Sequence, residues 1–250
     1  MPARRRPTPG ARAARAPVRE RIAALPWDSI RASLAERGYA VTPRLLGVAE
    51  CRELIGLYAD ASRFRSRVAM GPRRFGEGEY QYFANPLPPL VRELRQHLYP
   101  PLARIANDWH AQLGSRERYP RTLGGFLRTC RAAGQTRPTP LLLRYTSGGY
   151  NCLHRDRYGA VAFPLQVAFA LSNRETDYRG GEFLLVEQRP RAQSRGVAIS
   201  LERGEAIVFP NGARPVRGAR GFHRVHTRHG VSTLHAGERY ALGIIFHEAA

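Results

Sequence analysis

The sequence predicts an α+β protein with a mainly β core, in which a helical N-terminal lobe precedes an antiparallel sandwich or barrel. After about residue 140, short apolar runs recur with Gly, Pro and Asn between them: LLLRY, FPLQVAFAL, GEFLLV, EAIVFP and RYALGIIF. No segment with the length and spacing of a helix separates these runs, which is typical of antiparallel β-folds. Before this point, several segments instead space their apolar side chains at the helical period.

The first part of the N-terminal half predicts helices and one basic hairpin. Asp28 can cap a helix that Gly38 would end, and the short strand YAV follows. Residues 47–60 again have helical spacing. The segment RSRVAMGPRRFGEGEYQYF then contains two short β-like runs around a turn rich in Gly and Arg.

Residues 88–113 predict two further helices, divided where Pro100 and Pro101 interrupt the pattern. Together these elements define one domain over residues 23–250. We expect its helical lobe, with the basic hairpin, at 23–139 and its β core at 140–250.

The first 22 residues have a different composition, rich in Arg, Ala and Pro with the single acid Glu20. Such a segment cannot bury a core, so a disordered tail is expected there. No run reaches the roughly 18–20 apolar residues that a membrane span needs, and the N-terminus lacks a secretory h-region. The cysteines, Cys51, Cys130 and Cys152, have no C-x-x-C spacing and are expected to be reduced thiols of a cytoplasmic protein.

The charge of the chain is its most unusual compositional feature. Its formal net charge is +20 and its pI is about 11.2. Such a surface attracts nucleic acid or other polyanions. All 40 basic residues are arginine, which suits bidentate phosphate contacts but which a GC-rich coding bias would also produce. Composition alone therefore leaves nucleic-acid binding open.

A candidate metal motif stands in LLLRYTSGGYNCLHRDRYG, where His154 and Asp156 are two residues apart. Side chains alternate along a strand, so this spacing puts imidazole and carboxylate on one face. A further histidine from a distant strand would complete a 2-His-1-carboxylate set, which leaves positions open on an oxygenase iron. Downstream follow, in order, the turn RGGEF, the strand GEAIVFP, and RHGVSTLHAGERYALGIIF.

This series of motifs resembles the Fe(II)/2-oxoglutarate-dependent oxygenases over about residues 140–247. RYTSGGYNCLHRD and RHGVSTLHAGERYALGIIF are similar to the corresponding parts of the AlkB-type nucleic-acid demethylases, and prolyl hydroxylases share the strand order. From about residue 45 the chain also resembles a bacterial group labelled as oxygenases acting on alkylated DNA. The resemblance implies a double-stranded β-helix, a jelly-roll or cupin-like barrel, with Fe(II), 2-oxoglutarate and O2 as cofactor and co-substrates.

The resemblance also implies roles for individual residues. His154, Asp156 and His229 would be the iron ligands, and Arg239, ten residues after His229, would bind the distal carboxylate of 2-oxoglutarate. Tyr145 would place its hydroxyl on the co-substrate.

Four other histidines lie near the proposed third ligand and compete with it: His223, His226, His235 and His247. Of these His226 is the principal alternative. The chain also departs from the AlkB-type pattern at two positions, where Leu143 replaces an asparagine and Ile245 replaces a second arginine.

Two arginine-rich segments are candidate phosphate contacts, although each is equally consistent with a solvated surface. One is the basic and aromatic patch of the N-terminal hairpin: Arg73, Arg74, Tyr80, Tyr82 and Phe83. The other is an expected flexible loop in NGARPVRGARG near the mouth of the site: Arg214, Arg217 and Arg220.

The sequence as a whole predicts a dioxygenase that hydroxylates a C–H bond with release of succinate and CO2. Its first expected reaction is oxidative demethylation of alkylated nucleic acid, a DNA-repair activity. One alternative is a prolyl-type hydroxylase of protein side chains. A second, from another class, is a catalytically inactive barrel that serves as a basic nucleic-acid-binding module.

Overall fold

A computed structural model describes residues 16–156, 158–174 and 176–250 of the chain. Within these ranges the helices are α1 Val18–Ala23, α2 Trp27–Arg37, α3 Val48–Gly56, α4 Pro89–Gln112 and α5 Leu123–Ala132. The strands of the N-terminal half are β1 Ala40–Val41, β2 Phe64–Ala69, β3 Gly76–Glu77 and β4 Glu79–Phe83. The remaining strands are β5 Leu141–Thr146, β6 Tyr150–His154, β7 Leu165–Ala170, β8 Tyr178–Gly180, β9 Phe183–Gln188, β10 Arg195–Ile199, β11 Ala206–Pro210, β12 Ala213–Gly218, β13 Gly221–Val231 and β14 Leu234–Ile244.

These strands form two antiparallel sheets, which confirms the predicted β core. The major sheet has the order β1-β11-β7-β14-β5-β4-β2, with β8 also paired to β14. The minor sheet has the order β10-β9-β13-β6-β3, with β12 also paired to β13. One apolar cluster joins the two sheets, where Phe183 and Leu185 of the minor sheet pack with Ile207 and Phe209 of the major sheet.

The helices pack on the major sheet and build the larger apolar core. Its longest element, α4, runs unbroken through Pro100 and Pro101, so the predicted division into two helices is wrong. Buried side chains continue at helical spacing on both sides of the prolines, for example Leu98 and Leu102. The two prolines cannot donate backbone hydrogen bonds, which destabilises the helix, and this continuous packing offsets that loss.

The prediction of a tail up to residue 22 also needs correction. Residues 1–15 lie outside the described part of the chain. From Val18 onwards, however, the chain forms α1, which buries Val18 and Ile22 in the main core. Arg21 of the same helix forms an ion pair with Glu50, with 2.5 Å between nitrogen and oxygen. The ordered domain therefore begins several residues earlier than its composition indicates.

The predicted basic hairpin is confirmed as β2 paired with β4, but it is not an appendage of a helical lobe. Strand β4 pairs with β5 and so extends the major sheet, while β1 pairs with β11 at the opposite edge. The boundary expected at residue 140 therefore does not separate a helical lobe from a β core.

Two expectations from composition concern membranes and cysteines. None of the described helices is long and apolar enough to cross a membrane. The cysteines are free thiols, buried at Cys51 and Cys130 and exposed at Cys152.

The segment NGARPVRGARG was expected to be a flexible basic loop, but most of it is strand β12, paired with β13 in a hairpin. Arg214 is only 2% exposed, and its Nη2 lies 2.7 Å from Oε2 of Glu187. Its Nη1 also donates to the carbonyl of Ala35 in α2 at 2.7 Å. Arg214 therefore joins the minor sheet to a helix and is not a phosphate contact.

Replacing Arg214 with methionine is expected to lower the free energy of unfolding by about 3 kcal/mol, because the buried Glu187 would then keep only Arg189 as a cationic partner among the described residues. Urea denaturation measures this change. Arg217→Met, at an exposed position of the same strand, is the matched control and should change stability by less than about 0.5 kcal/mol. Equal stabilities of the two variants would contradict a structural role for Arg214.

Candidate metal and co-substrate site

Two neighbouring strands of the minor sheet bring the candidate histidines together. His154 at the end of β6 is the direct cross-strand partner of His229 in β13, and their ring centroids are 4.3 Å apart. Along β13, Val225, Thr227 and His229 are buried whereas Arg224, His226 and Arg228 are exposed. Because side chains alternate along a strand, His229 points into the barrel and His226 points out of it. The structure therefore excludes the principal alternative ligand, His226.

Asp156 lies just beyond the end of β6, so strand alternation alone does not orient its side chain. Instead, its backbone N–H donates to Oδ1 of Asn211 at 3.1 Å. Its carboxylate then lies between the histidines, with Oδ2 at 3.3 Å from Nε2 of His229 and Oδ1 at 3.7 Å from Nε2 of His154.

Neighbouring groups hold the three side chains in these positions. Nδ1 of His154 lies 2.7 Å from the carbonyl oxygen of Cys152. A proton on Nδ1 satisfies that carbonyl and leaves the Nε2 lone pair free for a ligand. The ring of His229 packs against Phe183 and Phe209, with centroid distances of 5.9 and 4.7 Å.

The electrostatics of the cluster favour an ionised carboxylate and a neutral imidazole. Burial by itself would raise the pKa of Asp156, but the hydrogen bond and charge of His229, and then the charge of His154, hold that pKa well below its usual range. Burial, followed by the charge of His229, lowers the pKa of His154. At neutral pH both groups are therefore in the state that metal coordination requires.

The cluster has the composition and spacing of a mononuclear metal site. One ligand atom from each of His154, Asp156 and His229 lies within 4.8 Å of the others, and no other such group of His, Cys, Asp or Glu occurs in the described residues. Ligands at right angles and ~2.1 Å from one ion are ~3 Å apart, close to the distances observed here. A set of two imidazoles and one carboxylate suits non-haem Fe(II) and leaves positions open for other ligands.

A cavity of about 360 Å³ opens from this cluster into the barrel, and Arg239 and Tyr145 line it together with the three candidate ligands. Arg239 of β14 and Tyr145 of β5 are cross-strand partners. The guanidinium carbon of Arg239 lies 5.6 Å from the centre of the Tyr145 ring. The candidate metal site and the predicted co-substrate residues thus share one cavity.

Arg239 is 6% exposed, and among the described residues no carboxylate lies within 4.0 Å of its guanidinium. A buried cation without a counter-ion is costly, so this position fits a ligand that carries a carboxylate. The turn RGGEF makes room for the arginine: a Cβ on Gly181, where φ is +64°, would lie 3.1 Å from Cδ of Arg239 and only 2.5 Å from Cδ1 of Leu234.

Tyr145 is fully buried, and burial raises its pKa to about 12. The hydroxyl therefore keeps its proton at neutral pH and can donate it to an anionic ligand. Its oxygen accepts a hydrogen bond of 3.3 Å from Nδ2 of Asn151. Both Leu143 and Ile245, the two departures from the AlkB-type pattern, lie in the cavity wall and make this part of it apolar.

The mouth of the cavity combines apolar and cationic side chains. Phe75 and Leu153 line it although they are 46% and 41% exposed. The exposed side chains of Arg74 and Arg155 also line it, and neither has a carboxylate within 4.0 Å in the described part of the chain.

The predicted hairpin patch is only partly at this mouth. Its members Arg74, Tyr80 and Tyr82 line the cavity. Phe83, by contrast, is fully buried in the main core and cannot stack on a ligand. The neighbouring Phe75, which was not predicted as a site residue, is the exposed aromatic residue at the mouth.

Tyr158, which the sequence motifs did not predict as a site residue, donates its hydroxyl proton to Oδ1 of Asp156 at 2.6 Å and accepts from the hydroxyl of Tyr82 at 2.9 Å. Burial, and then the negative charge of Asp156, raise the pKa of Tyr158 well above its ordinary value, so it remains a donor. The Tyr158 hydroxyl therefore binds Oδ1 of Asp156, and Oδ2, on the side that faces His229, stays available as a metal ligand.

Replacing Tyr158 with phenylalanine is expected to weaken metal binding by about 10- to 100-fold, because the hydroxyl no longer orients the carboxylate. Titration of the metal-free protein with Co²⁺ measures this affinity. Tyr150→Phe is a suitable control, since Tyr150 is 38% exposed at the start of β6 and no hydrogen bond of its hydroxyl occurs within the described ranges. Unchanged Co²⁺ affinity in Tyr158→Phe would show that this hydroxyl does not orient the ligand.

Comparison with solved structures places this fold among the oxygenases. The chain superimposes with a TM-score of 0.52 on an oxidoreductase of the 2OG-Fe(II) oxygenase family from Burkholderia pseudomallei, at 18% identity over 90% of this chain and 93% of the other. It also matches SnoN, a non-heme alpha-ketoglutarate-dependent epimerase from nogalamycin biosynthesis, with a TM-score of 0.52 and 16% identity over 88% of this chain and 81% of the other. The predicted double-stranded β-helix is thereby confirmed.

Fold and site together define an Fe(II)- and 2-oxoglutarate-dependent oxygenase. Residues 78–249 match the model of a family described as oxygenases catalysing oxidative methylation of damaged DNA, and the chain belongs to this family. Uncharacterized proteins from two strains of Mycobacterium tuberculosis are 54% identical to it over 168 residues, which are 67% of this chain and 72% of theirs.

Proposed function

We propose that this oxygenase removes alkyl groups from nucleic-acid bases by oxidation, with His154, Asp156 and His229 as iron ligands. The observation that carries the proposal is that one cavity joins these three side chains, Arg239 and a mouth formed by Phe75 and exposed arginines. Arg239 has no carboxylate partner within the described ranges. When bound, Fe(II) would activate O2 so that one oxygen atom is inserted into a C–H bond of the substrate, while 2-oxoglutarate, the reductant, is converted to succinate and CO2.

The protein's own residues bind and orient the reactants. Arg239 would hold the distal carboxylate of 2-oxoglutarate with its two-pronged guanidinium, and Tyr145 would donate its hydroxyl proton to the same molecule. The apolar wall that includes Leu143 and Ile245 would exclude water from the reacting carbon. A hydroxylated N-methyl group then loses formaldehyde and leaves the base with its original N–H.

Three observations support nucleic acid as the substrate class. The chain carries a net charge of +20, which attracts polyanions. The exposed ring of Phe75 at the mouth offers a surface on which a base can stack, with Arg74 and Arg155 beside it for phosphates. Finally, the family to which the chain belongs is described as acting on damaged DNA. A base must leave its stack to enter the cavity, so single-stranded or flipped bases are the expected substrates.

A succinate assay with three candidate substrates tests this choice. Purified protein receives Fe(II), 2-oxoglutarate and O2 with a methylated single-stranded oligonucleotide, the same oligonucleotide without methyl groups, or a proline-rich peptide. We expect only the methylated oligonucleotide to stimulate succinate formation. Stimulation by the peptide would support a prolyl-type hydroxylase instead. Failure to form succinate with metal bound would support the inactive binding module.

A further inference from the structure

The outer face of β13 carries a row of exposed side chains. Phe222, Arg224, His226 and Arg228 are spaced two residues apart, and all of them except the 42% exposed Phe222 are cationic or can become so. Arg217 of β12, also exposed, is the cross-strand partner of Phe222. We call these five residues the β13 stripe.

The cations of the stripe are free of acidic partners. In the described ranges, no carboxylate lies within 4.0 Å of Arg217, Arg224 or Arg228. The positions paired with the stripe on adjacent strands are also uncharged: Ala213 and Pro215 on β12, and Val186 and Gln188 on β9. The stripe is therefore a line of positive charge with no acidic residue at the positions paired with it on β9 and β12.

The stripe leads to the candidate active site along a single strand. It begins at the tip of the β12–β13 hairpin and ends at Arg228, the residue before His229. His229 pairs with His154, and Arg228 and Arg155 are the residues next to this pair, Arg228 just before His229 and Arg155 just after His154. Arg155 lines the mouth of the cavity. A ligand that follows the stripe thus reaches the mouth without leaving a cationic surface.

We propose that the β13 stripe binds the backbone of a single-stranded nucleic acid on one side of the target base, which extends the proposed function and rests on it. Alternate residues of a strand are ~6.6 Å apart, a repeat comparable to the spacing of successive phosphates in an extended strand. Phe222 supplies a ring on which an unpaired base can stack at the far end. Proteins that bind single strands typically combine cations placed along the nucleic-acid backbone with an aromatic side chain on which a base stacks.

A binding experiment with unmodified single-stranded DNA tests the stripe independently of catalysis. The double variant Arg224→Ala/Arg228→Ala is compared with Arg52→Ala/Arg92→Ala, which removes the same charge from exposed positions on α3 and α4. We expect the stripe variant to weaken binding about tenfold and to reduce the salt dependence, d log K/d log[salt], by about 1.4, or 0.7 for each lost phosphate contact. The helix variant should stay close to wild type.

Equal losses in the two double variants would overturn the proposal, because binding would then depend on net charge and not on the stripe. Melting temperatures near that of the wild type establish that both variants are folded. Since this experiment uses DNA without methyl groups and protein without iron, its outcome is separate from that of the succinate assay.

Because the stripe lies on one side of the mouth, we expect the length of the oligonucleotide to matter on one side of the target base only. Extending a short methylated oligonucleotide by four nucleotides on one side of the methylated base should lower KM several-fold, whereas extension on the other side should not. Phe222→Ala should reduce that gain, and Val48→Ala, at a 40% exposed apolar position on α3, is not expected to alter it. Equal gains from extension on either side, unaffected by Phe222→Ala, would contradict the proposed path.

Discussion

Replacing Asp156 with alanine is expected to reduce succinate formation by at least about 1,000-fold, equivalent to about 4 kcal/mol of lost transition-state stabilisation. Asp156 supplies the only carboxylate of the candidate ligand set, and its Oδ2 lies 3.3 Å from Nε2 of His229. Without it, two imidazoles and no negative charge remain to hold the ion. Binding of Co²⁺, measured by titration, should weaken together with turnover.

The same variant should bind single-stranded DNA nearly as well as the wild type, because the cationic surface is unchanged. Asp108→Ala is the matched control for the loss of one negative charge, since Asp108 is 49% exposed on α4 and pairs with Arg31 at the surface. Succinate formation by Asp108→Ala should remain within twofold of wild type. If DNA binding by Asp156→Ala fell as steeply as turnover, the separation between metal site and binding surface would be wrong.

Replacing Arg239 with glutamine is expected to raise KM for 2-oxoglutarate about 100-fold, or about 3 kcal/mol. The guanidinium is 6% exposed and has no protein carboxylate beside it in the described residues, so its loss removes the proposed partner of the distal carboxylate of 2-oxoglutarate. Arg239→Lys keeps the charge but cannot form two parallel hydrogen bonds, and an intermediate KM is expected. Initial rates at varied 2-oxoglutarate give these values.

The control for Arg239 is Arg179→Gln, an exposed arginine on β8 that does not line the cavity. Its KM for 2-oxoglutarate should equal that of the wild type. An unchanged KM in Arg239→Gln, with a normal melting temperature, would assign the co-substrate carboxylate to another residue.

Much of the candidate site could be predicted because its signals are local. The short apolar runs after residue 140 predicted the strands, and Gly38 was correctly predicted to end α2, where its φ is +82°. The inward direction of His229 follows from alternation along β13, once the strand is placed. Asp156 was chosen from the same rule, although Asn211 from a distant turn is what positions its backbone.

The features that could not be predicted depend on how the elements pack together. Asn151 reaches Tyr145, six residues earlier, because the chain passes from the major to the minor sheet between β5 and β6. Arg214 cannot be recognised as structural until Glu187 and Ala35 are placed around it. Similarly, Pro100 and Pro101 predict a break, and only the packing of α4 on the major sheet shows why the helix continues.

Counting succinate and formaldehyde in one reaction tests the central claim most directly. Wild-type protein is supplied with Fe(II), limiting 2-oxoglutarate, O2 and an excess of methylated single-stranded oligonucleotide. Oxidative demethylation predicts one formaldehyde for each succinate formed above the rate without oligonucleotide, and an equal number of methyl groups lost from the DNA. Stimulated succinate formation without formaldehyde or loss of methyl groups would contradict the account.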